Sequence, residues 1–222
     1  MFDLVAKDVW TTARGQRFWG LETGTRMTVV RLADGGLFVH CPVALDAPTR
    51  AAVDALGDVR VVASSSLFHH LYAGEWMQAY PRALFCACPG LPQKRADLRW
   101  GHVLDGTPHD LLRGDLDQAE FTARFEREVV FFHRASGTMI CADALLNLST
   151  HASRSTRAAA WLMGNTKPGK GWLEYVAVRD WKLGRRQVDR MLEWDPARIV
   201  LAHGGLVERD GGRVLREAYA WL

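Results

Sequence analysis

The sequence has no apolar run that approaches the roughly 18 residues needed to span a membrane. Its first ten residues mix Asp3, Lys7 and Asp8 into an apolar pattern, which differs from the basic and then apolar segments of a secretory signal peptide. Neither charge is in large excess, since 28 lysines and arginines face 25 aspartates and glutamates. These absences predict a cytoplasmic protein that binds neither nucleic acid nor a membrane.

Cysteine is also scarce, and its spacing excludes two common uses. The four cysteines are Cys41, Cys86, Cys88 and Cys141, and no two of them form a C-x-x-C pair. Each lies in an apolar run that is typical of a strand or a strand end. We therefore expect buried free thiols in a reducing compartment rather than disulfides or a cysteine-bound metal.

Two motifs of nucleotide-binding and hydrolytic enzymes are incomplete. The stretch Gly164–Gly171 (GNTKPGKG) approaches a phosphate-binding loop, but Gly171 replaces the Ser or Thr that would hold magnesium. This loop is not expected to bind nucleotides, although Lys167 or Lys170 could contact an anionic substrate. The serines at 64–66 lack the G-x-S-x-G pattern of a serine hydrolase, so we interpret them as loop residues.

The apolar residues that are present predict one domain over residues 1–222 in the α/β (α+β) class. Hydrophobic residues make up 48% of the chain, as in soluble globular proteins. Two hairpins, followed by strands that alternate with helices, predict an αββα sandwich of two mixed β-sheets flanked by helices. The predicted hairpins are Met27–Leu32 with Leu37–Val43 and Val129–His133 with Thr138–Ala142; the further strands are Val59–Ala63, Leu84–Cys88 and Ile199–Ala202; the helices are one from Pro48 to Gly57, His69–Tyr80, Arg154–Met163, Asp180–Trp194 and Arg213–Leu222.

Three of these predicted strands are followed by side chains that bind metals. His69 and His70 come after Val59–Ala63, Asp143 follows Thr138–Ala142, and His203 follows Ile199–Ala202. Functional groups of α/β sheets gather beyond the carboxyl ends of strands. Histidine and aspartate are ligands for zinc, iron and manganese. Any one of them alone is better explained as a hydrogen-bonded loop residue, whereas all of them together favour a metal site.

The phrases around these residues resemble the metallo-β-lactamase-fold hydrolases. They are Val61–His70 (VVASSSLFHH), Glu128–Leu146 (EVVFFHRASGTMICADALL) and Ile199–Val207 (IVLAHGGLV). In that fold a strand leads into an H-x-H-x-D-H loop, a later hairpin ends in a metal-bridging Asp, and a final strand ends in His-Gly. The chain is most similar to an uncharacterised, degenerate, metallo-hydrolase-like branch, which also has the phrases Gly24–Leu32 (GTRMTVVRL) and Glu193–Asp195 (EWD).

The resemblance implies that one of the two metal sites of that fold is lost. With His70 on the last histidine of the loop motif, His69 falls on its Asp, and Leu67 and Ser65 fall on the other two histidines. The stretch Phe121–Glu128, where a third histidine is expected, contains none. The second metal site is retained, and its implied ligands are His69, His70, Asp143 and His203. Asp143 and His69 are also the expected catalytic residues.

Three functions are compatible with this pattern. The first is a mononuclear hydrolase that uses a metal-activated water on an ester, thioester, lactam or similar small molecule. Its predicted cofactor is one ion of zinc, or else of iron or manganese. The second is a binding or structural protein that has lost its metals, and the third is redox chemistry on iron. The sequence leaves both a monomer and a homodimer open.

Overall fold

The protein is described by a computed structural model that covers residues 2–18, 20–124, 126–169, 171–172 and 178–222. Within these residues thirteen strands are numbered along the chain. They are β1 (Asp3–Ala6), β2 (Val9–Arg14), β3 (Arg17–Phe18), β4 (Leu21–Glu22), β5 (Thr25–Arg31), β6 (Leu37–His40), β7 (Val59–Ser64), β8 (Leu84–Ala87), β9 (His102–Val103), β10 (Leu116–Ala123), β11 (Glu126–His133), β12 (Thr138–Cys141) and β13 (Arg198–Leu201).

Two mixed sheets contain all but two of these strands. The first has the order β1-β2-β5-β6-β7-β8-β9, antiparallel from β1 to β6 and parallel from β6 to β9. The second has the order β10-β11-β12-β13, in which only the last pair is parallel. The strands β3 and β4 form a separate short ribbon. Both predicted hairpins are present as the antiparallel pairs β5–β6 and β11–β12.

Helices are numbered in the same way over the described residues. Helix α1 begins where the sequence predicts, because the Asp46 side chain accepts a hydrogen bond from the Thr49 backbone N–H and Pro48 occupies the first turn. It ends at Gly57. The helices are α1 (Ala47–Leu56), α2 (Ala73–Ala79), α3 (Leu91–Lys94), α4 (Arg154–Leu162), α5 (Trp181–Leu192) and α6 (Gly211–Ala218), with 3₁₀ turns at Arg134–Ser136 and Leu148–Thr150.

The layers of the fold follow the order helix, sheet, sheet, helix, and a cluster of apolar side chains lies between each pair of neighbouring layers. On the outer face of the first sheet, Val53 and Trp76 from α1 and α2 pack against strand residues such as Val39. Between the sheets, Phe38 of β6 contacts Phe131 of β11, with ring centroids 4.9 Å apart. On the far face of the second sheet, a third cluster buries one side of α5 and α6. The predicted αββα sandwich is confirmed, while the single-domain assignment stays a prediction.

Several elements differ from the sequence prediction. The strands β1 to β4, strand β9 and helix α3 were not predicted. Strand β10 was not predicted, because its polar residues interrupt the apolar pattern; it pairs with β11 along its whole length. The helix predicted over His69–Tyr80 begins only at Ala73, and both histidines lie in the turns before it. The four cysteines are buried free thiols, as expected. No helix among the described residues is both long and apolar enough to cross a membrane.

Candidate metal centre

Three side chains converge where the two sheets meet. His69 Nε2 lies 3.1 Å from His203 Nε2, and these two atoms lie 3.4 and 3.3 Å from Asp143 Oδ1. The three side chains are only slightly exposed to solvent, between 8% and 15%. They form the cluster that we call the metal-site triad.

The ends of three strands bring the triad together. Asp143 lies two residues after β12 and His203 two residues after β13, and these strands are parallel neighbours. His69 comes from the other sheet, in the loop after β7. That loop is attached to the second sheet by a hydrogen bond from the Val129 N–H to the Ser65 carbonyl, 2.9 Å long. The convergence therefore follows from strand ends that gather at one edge.

The orientation of His203 is fixed by the turn before β5. His203 Nδ1 lies 2.7 Å from the Gly24 carbonyl oxygen, an acceptor, so Nδ1 carries a proton and Nε2 faces the triad, where it would present its lone pair to a bound metal ion. The Arg26 guanidinium donates to the carbonyl oxygens of Leu201 and Gly204, at 2.5 and 2.8 Å. The first sheet thereby holds the loop that carries His203.

Gly204 is required by the same loop. Its φ is +87°, and a Cβ at this position would lie 1.9 Å from the Asn147 carbonyl oxygen. We expect Gly204→Ala to lower the free energy of unfolding by more than the ~1–3 kcal/mol of left-handed backbone strain, because the clash adds to that strain. Urea denaturation measures the difference.

Gly35 offers a matched control for this substitution. Its φ is +85°, and an added Cβ would meet nothing within 4 Å. Gly35→Ala therefore introduces the strain without the clash. Equal losses of stability in the two variants would contradict a tight approach between Gly204 and Asn147.

Asp143 is held from both sides. The Ser66 hydroxyl donates to Asp143 Oδ2 at 2.7 Å. Behind it, the buried Glu128 carboxylate accepts hydrogen bonds from the backbone N–H groups of Ala142, Asp143 and Ala144, the last two at 2.8 and 2.6 Å. Glu128 thus fixes the turn that carries Asp143. Among the described residues Glu128 and Glu126 also lie close enough to Asp143 to form a second group of possible ligands.

The charged groups of the triad lower the pKa of Asp143 and raise the pKa of His203. Burial alone would raise the pKa of Asp143, but the charge of His69 and the hydrogen bonds from both histidines hold that pKa well below its ordinary value. Burial alone would lower the pKa of His203, but the hydrogen bond and the charge of Asp143 raise it. The carboxylate is therefore ionised at neutral pH, as a metal ligand must be.

Comparison with known proteins identifies the family. Residues 6–167, more than half of the chain, match the family described as a domain of unknown function, DUF4336. The chain belongs to this family. The matched region includes His69 and Asp143 but ends before His203. None of the curated proteins matches the sequence.

Solved structures similar to this DUF4336 chain are metallo-β-lactamases. DIM-1 superposes with a TM-score of 0.67 at 14% identity, over 99% of this chain and 95% of that one. The enzyme from Pontibacter korlensis gives 0.66 at 12%, over 99% and 97%. FIM-1 from Pseudomonas aeruginosa, in its mono-zinc form, gives 0.63 at 14%, over 100% and 95%. At such identities the likeness shows a shared fold, which confirms the fold implied by the sequence resemblance.

The DUF4336 structure does not bring His70 into the triad. His70 Nδ1 lies 3.1 Å from Arg95 Nη1, and the same guanidinium group also contacts the His70 carbonyl oxygen. Burial and the charges of Lys94 and Arg95 lower the pKa of His70 to about 4, so it is a neutral acceptor for Arg95. The sequence resemblance implied that both His69 and His70 are ligands, whereas the structure brings only His69 into the triad.

The two positions that lack the histidines of the first metal site have other partners. Leu67 packs against the apolar cluster of Ala87, Cys88 and Leu91. Ser65 Oγ lies 2.7 Å from His40 Nε2 and 3.4 Å from Cys41 Sγ, in a fully buried polar network. These contacts give both side chains partners within the protein, and the loss of the first metal site stays a prediction.

His40 makes the stability of the protein depend on pH. Burial, with a smaller contribution from His69, lowers the pKa of His40 from 6.5 to about 3. The unfolded chain therefore binds more protons than the folded one between these values, and stability falls as pH falls below 6.5. Between pH 7.5 and 5.5 this histidine should remove about 1.4 kcal/mol of the free energy of unfolding.

Urea titrations of the wild type and His40→Gln at the two pH values test this effect. The variant is expected to lose about 1.4 kcal/mol less than the wild type over the same interval. An identical pH dependence in both proteins would show that folding does not change the pKa of His40.

A cavity of about 270 Å³ opens beside the triad. Its lining residues come from both sheets and from the loops that join them. They are Gln16, Phe18, Thr23, Thr25, Pro42, Phe68, His69, Leu71, Tyr72, Glu126, Asp143, Leu146, Leu148, Met163, Asn165 and His203. We call it the triad pocket. It gives a small molecule access to the triad.

The Gly164–Gly171 stretch contributes to this pocket rather than to a phosphate site. The Asn165 amide donates to the carbonyl oxygens of Leu146 and Gly169, at 3.1 and 2.6 Å. Lys167 is exposed and does not line the pocket, and Lys170 lies outside the described residues. The lack of nucleotide binding by this stretch stays a prediction.

Proposed function

We propose that this chain is a hydrolase that depends on a single metal ion bound by His69, Asp143 and His203. The observation that carries the proposal is the spacing of the three donor atoms, 3.1 to 3.4 Å apart. Two ligands that are each about 2.0–2.1 Å from a tetrahedral zinc ion lie about 3.3 Å from one another. Three protein ligands leave one position for water or substrate, as in catalytic zinc sites.

The surroundings of the triad support this assignment. The Gly24 carbonyl fixes the tautomer of His203, and Ser66 holds the second oxygen of Asp143. Such outer partners are typical of metal-binding histidines and carboxylates. The FIM-1 structure, which shares the fold, is a mono-zinc form. One ion is therefore compatible with this architecture.

The chemistry would divide between the ion and the side chains. A bound ion would lower the pKa of a water molecule and polarise a carbonyl oxygen. His69 and Asp143 line the pocket, so they face the bound substrate. Asp143 offers Oδ1 to the triad and keeps Oδ2 as an acceptor beside Ser66. We propose these two residues as the catalytic groups, and a small ester, thioester or lactam as the substrate.

The proposal is tested by hydrolysis with and without metal. Protein reconstituted with zinc, iron or manganese should hydrolyse at least one of a panel of nitrophenyl esters, thioesters and chromogenic lactams. The rate should fall on chelation and return when the ion is restored. A rate that survives both chelation and the Asp143→Ala substitution would come from a contaminant or from another site, and would refute the proposal.

A second candidate function is supported by the identity of the ligands. Two histidines and one carboxylate are the ligand set of non-haem iron(II) enzymes that react with oxygen. The same reconstituted samples separate the two functions: oxygen consumption by the iron form without hydrolysis by the zinc form would favour redox chemistry. The four buried thiols are compatible with a reducing, cytoplasmic location for either function. If no ion binds at all, the non-catalytic alternative stands.

A further inference from the structure

The triad pocket has two groups of apolar lining residues. The first is a wall in which Phe18 and Phe68 meet edge to face, with ring centroids 5.6 Å apart, and Leu71 and Tyr72 continue this wall. The Tyr72 hydroxyl donates to the Gln16 side chain at 3.3 Å. The polar atoms of this wall are therefore paired with each other, and its aromatic and aliphatic surface is left for a ligand.

A second group of apolar lining residues is aliphatic. Leu146 and Leu148 come from the chain that follows Asp143, and Met163 follows helix α4. Leu148 is buried, and Leu146 and Met163 are half-buried. Together the two groups give a ligand that reaches the triad an extended apolar surface to lie against.

The triad pocket has two carboxylates beside its two histidines. Glu126 and Asp143 line it, and among the described lining residues there is no lysine or arginine. Lys94 reaches the Phe68 ring at 5.2 Å, but its ammonium group donates to the Leu67 carbonyl at 2.5 Å. Anionic substrates are generally recognised by arginine or lysine. The described part of the pocket offers neither of these side chains.

We propose that the triad pocket selects an uncharged substrate with an apolar acyl chain and rejects substrates that carry a carboxylate. The inference rests on the proposed function because that function supplies the hydrolytic reaction. The selectivity itself depends only on the residues that line the pocket. The carbonyl group lies at the triad, and the chain lies between Phe68 and Met163. A negative charge at the end of that chain would have to leave water for an apolar wall.

A matched pair of esters tests the selectivity during turnover. The 4-nitrophenyl ester of hexanoic acid and the 4-nitrophenyl monoester of adipic acid have acyl chains of the same length, and only the second ends in a carboxylate. For the metal-loaded wild type we expect kcat/KM to be at least 30-fold higher for the hexanoate. Equal values, or a preference for the anion, would overturn the inference.

A cation placed at the rim should reduce this preference. Leu71 is 59% exposed and lines the pocket, so a longer polar side chain is tolerated there. Leu71→Lys should improve the relative kcat/KM for the anionic ester about tenfold, while Leu71→Gln should not. Leu4→Lys adds the same charge on the exposed part of β1 and should leave the ratio unchanged. If Leu71→Lys and Leu4→Lys have the same effect, only net charge matters and the pocket assignment is wrong.

Binding to metal-free protein separates this inference from the proposed function. Hexanamide and the monoamide of adipic acid are not substrates in this assay, and ligand-observed NMR gives their dissociation constants. We expect hexanamide to bind at least tenfold more tightly, and Leu71→Lys to narrow the difference. If the amides show this preference but the metal-loaded protein hydrolyses no ester, the proposed hydrolase function is refuted and the selectivity of the pocket stands. Hydrolysis without any preference, or no binding of either amide, would refute the selectivity.

Discussion

Replacing His203 or Asp143 with alanine is expected to leave the purified protein with less than about one tenth of the metal that the wild type retains. Each substitution removes one of the three proposed ligands. Loss of an outer-sphere partner of a metal ligand typically costs 10–100-fold in affinity or activity, so the loss of a ligand itself should cost more. Hydrolysis should fall by at least about 100-fold in both variants.

His70→Ala is the matched control for these variants. His70 is next to His69 in the sequence, but its ring faces Arg95 rather than the triad. The variant should retain its metal and its activity to within a few fold. If His70→Ala loses the metal as His203→Ala does, the ligand set implied by the sequence, which includes His70, is right and the arrangement described here is wrong.

Glu128→Gln is expected to cause the largest loss of stability, about 2–4 kcal/mol in the free energy of unfolding. The buried carboxylate accepts three backbone N–H groups from residues 142–144 with its two oxygens. An amide has one oxygen and presents N–H groups where the second oxygen was, so at least one buried donor loses its acceptor. Denaturant titration measures this loss, and metal affinity should fall with it because Asp143 lies in the same turn.

Glu208→Gln removes the same charge at an exposed position and serves as the control. Its free energy of unfolding should stay within about 0.5 kcal/mol of the wild type. If the two variants are equally stable, the turn that carries Asp143 is not held by Glu128.

The fold could be predicted from the sequence largely because its strands and helices have distinct periods. Turn residues between β5 and β6 and the cap at Asp46 fix local structure by local interactions. Strand β10 could not be predicted from its period, because Asp117, Gln118 and Glu120 interrupt its apolar pattern. Only its pairing with β11, a tertiary interaction, stabilises it as a strand.

The site was predictable as a place but not as a complete set of contacts. Strand ends indicate where Asp143 and His203 lie, since parallel neighbours end at one edge. They do not decide which of two adjacent histidines points inward, because consecutive residues in a turn direct their side chains differently. The roles of Glu128 and Arg26 were missed for a related reason. Each acts across a long stretch of sequence, although the acidic residue at the start of an apolar run was a signal for Glu128.

Elemental analysis of the protein, purified without chelator and then loaded separately with zinc, iron or manganese, tests the central claim most directly. The arrangement of His69, Asp143 and His203 predicts close to one ion per chain for at least one of these metals. Ser65 and Leu67 occupy the positions where a second site would need histidines. Two ions per chain would mean that ligands outside the triad, such as Glu126, complete a second site. No ion under any loading condition would contradict the metal-site assignment and leave the non-catalytic alternative.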